Sequence, residues 1–174
     1  VAAAHAQSAL GLKKVMILDW DAHHGNGTQD IFWSDPDTLF IDMHRASPFY
    51  PGSGHLEEVG AGLGEGTTIN IPLAGGTGDA VMLKAMNEIV IPAANWFKPD
   101  LVLVSAGFDA HRLDLAMNVS YAGFAAFTDI MQKIADRHCE GRIAMVLEGG
   151  YHTESLEDAE AAIAYHLPAF AEQE

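Results

Sequence analysis

A short apolar run passes directly into acidic and histidine side chains in the stretch Val15-Met16-Ile17-Leu18-Asp19-Trp20-Asp21-Ala22-His23-His24-Gly25-Asn26. Four or five consecutive apolar residues bounded by polar ones are typical of a strand buried on both faces, as in a parallel sheet. The stretch therefore predicts a buried strand near residues 15–18, with side chains suited to ligand binding directly after its carboxyl end.

The same alternation continues along the chain. Apolar residues at helical spacing predict helices over residues 80–96 and 120–139, and a last helix is expected near Ser155. Strands separated by helices predict an α/β fold with a mostly parallel sheet between helical layers. The further strand-length runs are 39–41, 67–71, 101–104 and 143–147.

Length and composition restrict the functional class. At 174 residues, one domain covering residues 1–174 is the expectation. The net charge of −15 argues against nucleic acid and anionic lipid as partners and favours cationic ones. No apolar run is long enough to span a membrane, and the single cysteine, Cys139, permits no internal disulfide. These features predict a cytoplasmic protein.

Residues 47–66 form an irregular segment rich in Gly and Pro. A loop of this length in a compact domain is usually functional. The glycines at 60, 62, 64 and 66 lack the spacing and the lysine of phosphate-binding loops, and they precede a strand. They are interpreted as turn residues.

Three side chains have the types and positions of metal ligands. Asp21 and His23 are two residues apart, so in an extended continuation of the strand they would leave the backbone on the same side. Asp109 follows another predicted strand, and the carboxyl ends of parallel strands line one crevice. An Asp-x-His pair is also found as an ordinary structural hydrogen bond. Three ligands would leave a fourth position open, as in catalytic zinc sites, although such sites also accept iron or cobalt.

Four motifs together resemble the zinc-dependent histone deacetylase and acetylpolyamine amidohydrolase family, with class II-like features. They are Asp-Trp-Asp-Ala-His-His-Gly-Asn-Gly-Thr-Gln at 19–29, Phe-Tyr-Pro-Gly-Ser-Gly at 49–54, Ser-Ala-Gly-Phe-Asp-Ala at 105–110 and Glu-Gly-Gly-Tyr at 148–151. The resemblance implies an arginase/deacetylase-like fold and hydrolysis of acetyl-lysine or acetylated polyamine-type amides. It implies Asp21, His23 and Asp109 as Zn²⁺ ligands and Tyr151 as the catalytic hydroxyl.

The resemblance also implies a second ion and several supporting residues. A structural K⁺ or Na⁺ would lie among Asp19, Asp21, His23, Asp42 and Met43. Tyr50 would line the tunnel for the acyl-lysine side chain, and His24 would hold a supporting position outside the metal ligands. Asn26, with Asp19, would orient the two imidazoles of the family's general base.

One part of the family pattern is absent. The general base belongs to a tandem His pair some thirty residues before the zinc motif, yet only His5 occurs before Asp19. The chain is therefore expected to be the C-terminal portion of a catalytic domain, and weakly active or inactive alone, since losing a general base costs ~10²–10⁴-fold. The loss is also expected to expose an apolar sheet edge beside residues 15–18, favouring homo-oligomers.

Two other functions remain open from the sequence. A non-catalytic module that binds metal or acyl-lysine would need no base. A metallophosphoesterase also uses an Asp-x-His motif after a strand, but the Gly-Asp-x-x-Asp and Gly-Asn-His segments that would accompany it do not occur. The acidic balance favours acetylated cationic peptides or polyamines as substrates, through electrostatic steering.

Overall fold

The computed structural model describes residues 1–115 and 117–153; the helix predicted near Ser155 lies outside these residues. The strands and the long helix of the sequence interpretation are present. In chain order the elements are α1 (Ala2–Ala9), β1 (Val15–Asp19), α2 (Asn26–Phe32), β2 (Thr38–Arg45), a 3₁₀ turn (Gly62–Gly64), β3 (Thr68–Leu73), α3 (Asp79–Ala85), a π-helical turn (Met86–Val90), α4 (Ile91–Phe97), β4 (Leu101–Ala106), α5 (Tyr121–Cys139) and β5 (Ile143–Leu147).

The five strands form one parallel sheet in the order β3-β2-β1-β4-β5. Asp19, the last residue of β1, lies opposite Asp42 of β2 on one side and Ser105 of β4 on the other. Because all strands run in one direction, their carboxyl ends share one edge of the sheet. The predicted α/β architecture is confirmed, and the polar segments after β1, β2, β4 and β5 meet there.

Helices pack on both faces of the sheet. On one face, Met16 and Leu18 of β1 join a large core with α3, α4 and α5, in which Trp20 contacts the rings of Phe124 and Phe127. On the other face, a smaller cluster with α1 and α2 covers β1 and β2. Alternate burial of neighbouring β1 residues on opposite faces follows from the two-residue period of a strand.

The position expected for the exposed edge was wrong. β1 is the central strand, paired with β2 and β4, so residues 15–18 are not at an edge. The edges of the described sheet are β3 and β5, and β5 is the less covered, with Val146 54% and Leu147 56% exposed. An edge prediction needs the strand order, and hydrophobic patterning does not specify which strands are neighbours.

Two helices were not expected from the sequence. α1 and α2 are short, with 8 and 7 residues, so neither contains enough turns for a clear helical period. The predicted helix over residues 80–96 is present as one continuous helical segment, with the π-helical turn just before Pro92. Proline lacks an N–H, so the regular hydrogen-bond ladder cannot continue unchanged through it. Among the described helices, none is long and apolar enough to cross a membrane.

Candidate metal centre

Asp21 and His23 lie in a turn after β1. The Asp19 carboxylate accepts a hydrogen bond from the N–H of Asp21 at 2.9 Å, and the Asp21 carboxylate accepts one from the N–H of His23 at 2.8 Å. Short acidic side chains stabilise turns through such i to i+2 contacts. The extended backbone expected here was wrong, because these two contacts bend the segment, but the two side chains still converge.

Asp109 joins them from the loop after β4. One of its oxygens accepts a hydrogen bond from the N–H of Ala22 at 2.8 Å, and the other lies 2.9 Å from Nδ1 of His23. Nδ1 of His23 is also 3.0 Å from the Asp21 carboxylate. One possible ligand atom from each residue therefore lies within 4.8 Å of the other two. Asp21, His23 and Asp109 thus form a group that could hold a metal ion, here called the metal-type cluster.

Two glycines bring the backbone against these carboxylates. A Cβ at Gly149 would lie 2.5 Å from oxygens of both Asp21 and Asp109, and a Cβ at Gly107 would overlap the Asp21 carboxylate. The N–H of Gly149 donates to Asp21 at 2.8 Å. Glycine is required at both positions because any larger residue would displace a ligand oxygen.

The cluster has the electrostatics of a cation site. Within the described residues, Oδ2 of Asp109 is buried and has no hydrogen-bond partner of acceptable geometry, although it is close to His23. Burial, with the nearby negative charge of Asp21, raises the pKa of Asp109 to about 7. Two carboxylates and an imidazole are suitable ligands for a divalent metal, which would compensate this buried charge.

Asp19 and Asp42 form a second acidic cluster, buried beneath the first. They occupy paired positions of β1 and β2, and an oxygen from each points at Gly25, whose N–H donates to Asp42 at 2.7 Å. Burial raises the pKa of both carboxyl groups well above the usual value, and the charge of Asp42 adds to the shift at Asp19. The Met43 side chain lies in the core on the opposite face, so only its backbone carbonyl remains as a ligand.

The two other histidines near the centre have separate partners. Nε2 of His24 donates to Gln29 and its Nδ1 accepts from the Ser53 hydroxyl, at 3.0 and 2.8 Å. His44 bonds to Asp42 and to the carbonyl of Gly54. Burial lowers the pKa of both imidazoles. Both histidines therefore have structural partners, and Asn26 lies exposed at the start of α2.

Two aromatic residues of the long loop, residues 47–66, lie against His23 of the first cluster. The ring of Phe49 stacks on His23 with centroids 4.8 Å apart and planes at 15°, and Tyr50 meets His23 edge-on at 6.2 Å. Tyr50 is 77% exposed. It therefore lies beside the cluster at the surface.

Tyr151 follows β5 at the same edge of the sheet and is exposed. Its N–H and that of His152 both donate to one oxygen of Asp114, at 2.7 Å each. Desolvation, followed by the charges of Asp109, Asp21 and Asp114, raises the pKa of the Tyr151 phenol. The phenol therefore stays protonated near neutrality and is available as a hydrogen-bond donor.

Sequence reasoning missed a buried polar network beside the centre. Gln29 donates to Glu58 at 2.6 Å, and Asn70 donates to Gln29 at 2.7 Å and to the carbonyl of Glu58 at 2.9 Å. Its members come from α2, the long loop and β3. A Gln, a Glu and an Asn at separations of 12 to 41 residues carry no local signal in the sequence, so only the fold reveals this network.

Comparisons with known proteins agree with this architecture. The sequence profile of the histone deacetylase domain matches residues 1–167. The chain is 47% identical over 163 residues to histone deacetylase 14, chloroplastic, of Arabidopsis thaliana, covering 92% of this chain and 38% of that protein. It is 40% identical over 153 residues to the histone deacetylase-like amidohydrolase of Pseudomonas aeruginosa, covering 87% and 40%.

A solved structure of a histone deacetylase domain is also similar to this chain. The crystal structure of the HDA15 HD domain superposes with a TM-score of 0.89 at 42% identity, over 97% of this chain and 49% of that one. The predicted arginase/deacetylase fold is thereby confirmed, and this chain spans less than half of each of these three proteins. The chain belongs to the histone deacetylase domain family.

Proposed function

We propose that the chain forms the metal-binding part of a zinc-dependent amidohydrolase that removes acetyl groups from acetyl-lysine or acetylated polyamine-type amides. The observation that carries this proposal is the convergence of Asp21, His23 and Asp109 within 4.8 Å, with a buried Asp109 oxygen 2.9 Å from Nδ1 of His23. These three side chains would hold Zn²⁺. When bound, the ion supplies Lewis-acid polarisation of the amide carbonyl and makes water a better nucleophile.

Tyr151 would act on the same carbonyl. Its phenol stays protonated near neutral pH and can donate a hydrogen bond to the oxygen that becomes negative when the amide is attacked. Asp114 would hold this loop in place through the N–H groups of Tyr151 and His152. Tyr50 and Phe49 beside His23 would contact the methylene stem of an acylated lysine or polyamine.

The chain alone is proposed to be weakly active or inactive. A deprotonating base is needed for water attack, but His24 and His44 are already bonded to Ser53, Gln29, Asp42 and Gly54. The base would come from a His pair outside these residues. This favours a second candidate, a module that binds metal and acyl-lysine without turnover.

The buried Asp19 and Asp42 pair is proposed to hold K⁺ or Na⁺. Two buried carboxylates need protons or a cation, and a monovalent ion there would brace the turn that carries Asp21 and His23. The overall charge of −15 would attract cationic acetylated peptides and polyamines.

Zinc titration combined with turnover assays tests these proposals. Calorimetry of the metal-free chain should show one strong Zn²⁺ site, and the zinc-loaded chain should bind a hydroxamate. Acetyl-lysine peptide should turn over slowly, and ~10²–10⁴-fold faster after a segment with the His pair is added at the N-terminus. Hydroxamate binding without any turnover, even then, supports the binding module. Hydrolysis of a phosphodiester instead would establish the metallophosphoesterase, and full amidase activity of the short chain would refute the need for an added base.

A further inference from the structure

The loop that carries Phe49 and Tyr50 rests on two buried imidazoles. The rings of His24 and His44 lie 4.9 Å apart, and both residues are almost wholly buried. Each makes one hydrogen bond to the loop and one to the framework. His24 links Ser53 to Gln29 of α2, and His44 links the Gly54 carbonyl to Asp42 of β2.

The loop backbone at Gly54 packs directly against the rings of His24 and His44. A Cβ at Gly54 would lie 2.5 Å from atoms of the His44 ring and 2.7 Å from Cδ2 of His24. Glu58 also holds this residue, since its carboxylate accepts hydrogen bonds from the N–H groups of Gly54 and His55. The position of Gly54 is therefore set by the histidine pair and by Glu58 together.

The beginning of the same loop contacts the metal-type cluster. Phe49 stacks on His23, and its ring also contacts the guanidinium of Arg45, 4.6 Å from the ring centroid. Only four residues separate Phe49 from Gly54. A shift of the backbone at Gly54 should therefore also move the Phe49 ring that stacks on His23.

We infer that His24 and His44 are positioning residues: by supporting Ser53 and Gly54 they hold Phe49 against the His23 imidazole and Tyr50 at the entrance to the centre. The effect of this positioning role on ligand binding rests on the proposed function. The stacking of Phe49 on His23 does not. Groups that orient a metal ligand from outside its coordination shell commonly change affinity by about 10–100-fold when altered.

Two glycine substitutions in this loop provide a matched test. Gly54→Ala and Gly52→Ala both place alanine at a positive φ, +83° and +88°, so their backbone strain is similar. A Cβ at Gly52 meets nothing within 4 Å, whereas one at Gly54 meets both imidazoles. A difference between the two variants therefore reports the contact with the histidine pair.

The primary measurement is the NMR spectrum of the His23 ring in the full, metal-free chain. Stacking under Phe49 shifts these protons, and Phe49→Leu gives the unstacked reference. Gly54→Ala should move the His23 signals towards that reference, while Gly52→Ala should leave them unchanged. Equal spectra for the two alanine variants would overturn the inference, whether or not the chain binds zinc.

The second measurement uses the zinc-loaded chain and a fluorescent hydroxamate. Gly54→Ala should weaken hydroxamate binding about 10-fold relative to Gly52→Ala. If the wild-type chain binds no hydroxamate, the proposed function fails while the NMR result still decides the positioning role. If Gly54→Ala does not fold, Ser53→Ala, which only removes the hydrogen bond to His24, should give the same His23 shift at smaller amplitude, and no shift would refute the role.

Discussion

The two acidic clusters at the end of β1 share a strand and a residue type but differ in access. In the cluster of Asp21, His23 and Asp109, here called the open cluster, the His23 and Asp21 side chains are 25% and 13% exposed, while Asp109 is buried. Asp19 and Asp42 are 5% and 0% exposed and are closed off by the Gly25 backbone. The open cluster combines an imidazole nitrogen with carboxylate oxygens, while Asp19 and Asp42, here called the closed cluster, offer carboxylate and backbone oxygen.

This difference separates the proposed roles of the clusters. A hard monovalent cation is satisfied by oxygen alone and needs no open position, so it suits the closed cluster. A catalytic zinc ion has three protein ligands and an open fourth position, which Asp21, His23 and Asp109 would provide. The turn after β1 directs Asp19 and Asp21 into different environments, although only Trp20 separates them.

The largest expected effect comes from removing a ligand of the open cluster. Asp109→Ala should lower Zn²⁺ affinity by at least about 100-fold, because changes outside the coordination shell alone reach that size. Calorimetric zinc titration measures this. Asp42→Ala is the comparison and should keep zinc affinity within a few fold, so equal losses in both variants would show that the clusters act as one site.

A pair of glycine substitutions can affect each cluster separately. Gly149→Ala places a methyl group 2.5 Å from Asp21 and Asp109, and Gly25→Ala places one 2.7 Å from Asp19. Gly149→Ala should weaken zinc binding about 10–100-fold, while Gly25→Ala should abolish the response to monovalent salt and lower zinc affinity by only a few fold, through the contact of Asp19 with the turn.

Gly27→Ala is the control for this pair, since a Cβ there meets nothing within 4 Å. It should behave as the wild type in zinc calorimetry and unfold at the same or a slightly higher temperature, since alanine favours a helix such as α2 more than glycine does. Loss of zinc binding in Gly25→Ala with retention in Gly149→Ala would reverse the assignment of the clusters.

Local patterns were sufficient to predict the strands, the long helix and the convergence of the Asp21, His23 and Asp109 side chains. The apolar runs that became β1, β4 and β5 are short and bounded, and parallel strands bring their carboxyl ends together whatever the strand order. The order itself was not accessible, which is why the edge was misplaced. The network of Gln29, Glu58 and Asn70 was missed for a related reason, since it joins elements that are adjacent only in the folded sheet.

The backbone at the ligands was also mispredicted. An extended chain and a turn both direct Asp21 and His23 to one side, so the spacing could not distinguish them. The turn depends on Asp19 accepting from the N–H of Asp21, which links the geometry of the open cluster to a residue of the closed one.

Exchange of monovalent salt tests the closed cluster alone. Replacing K⁺ and Na⁺ by choline at constant ionic strength should lower the unfolding temperature of the wild type. An ion at ~100 times its dissociation constant stabilises by about 2.7 kcal/mol, which corresponds to about 5–10 °C for a chain of this size. Asp42→Asn should remove the dependence on the salt, and an unchanged wild-type melting temperature in choline would exclude the ion.

The smallest expected effect concerns Tyr151. Its substitution tests whether the phenol binds zinc or donates a hydrogen bond to a molecule bound beside the zinc. Tyr151→Phe removes only the exposed phenolic hydroxyl, which is not among the three ligands, so zinc affinity should stay within about twofold of the wild type, the size of a weak outer contact. Hydroxamate affinity of the zinc-loaded chain should fall by about 2–12-fold, the equivalent of one hydrogen bond of ~0.5–1.5 kcal/mol. Competition binding with a fluorescent hydroxamate measures this difference. A variant that loses zinc would place Tyr151 among the ligands, and unchanged hydroxamate binding would show that the phenol does not reach the open position.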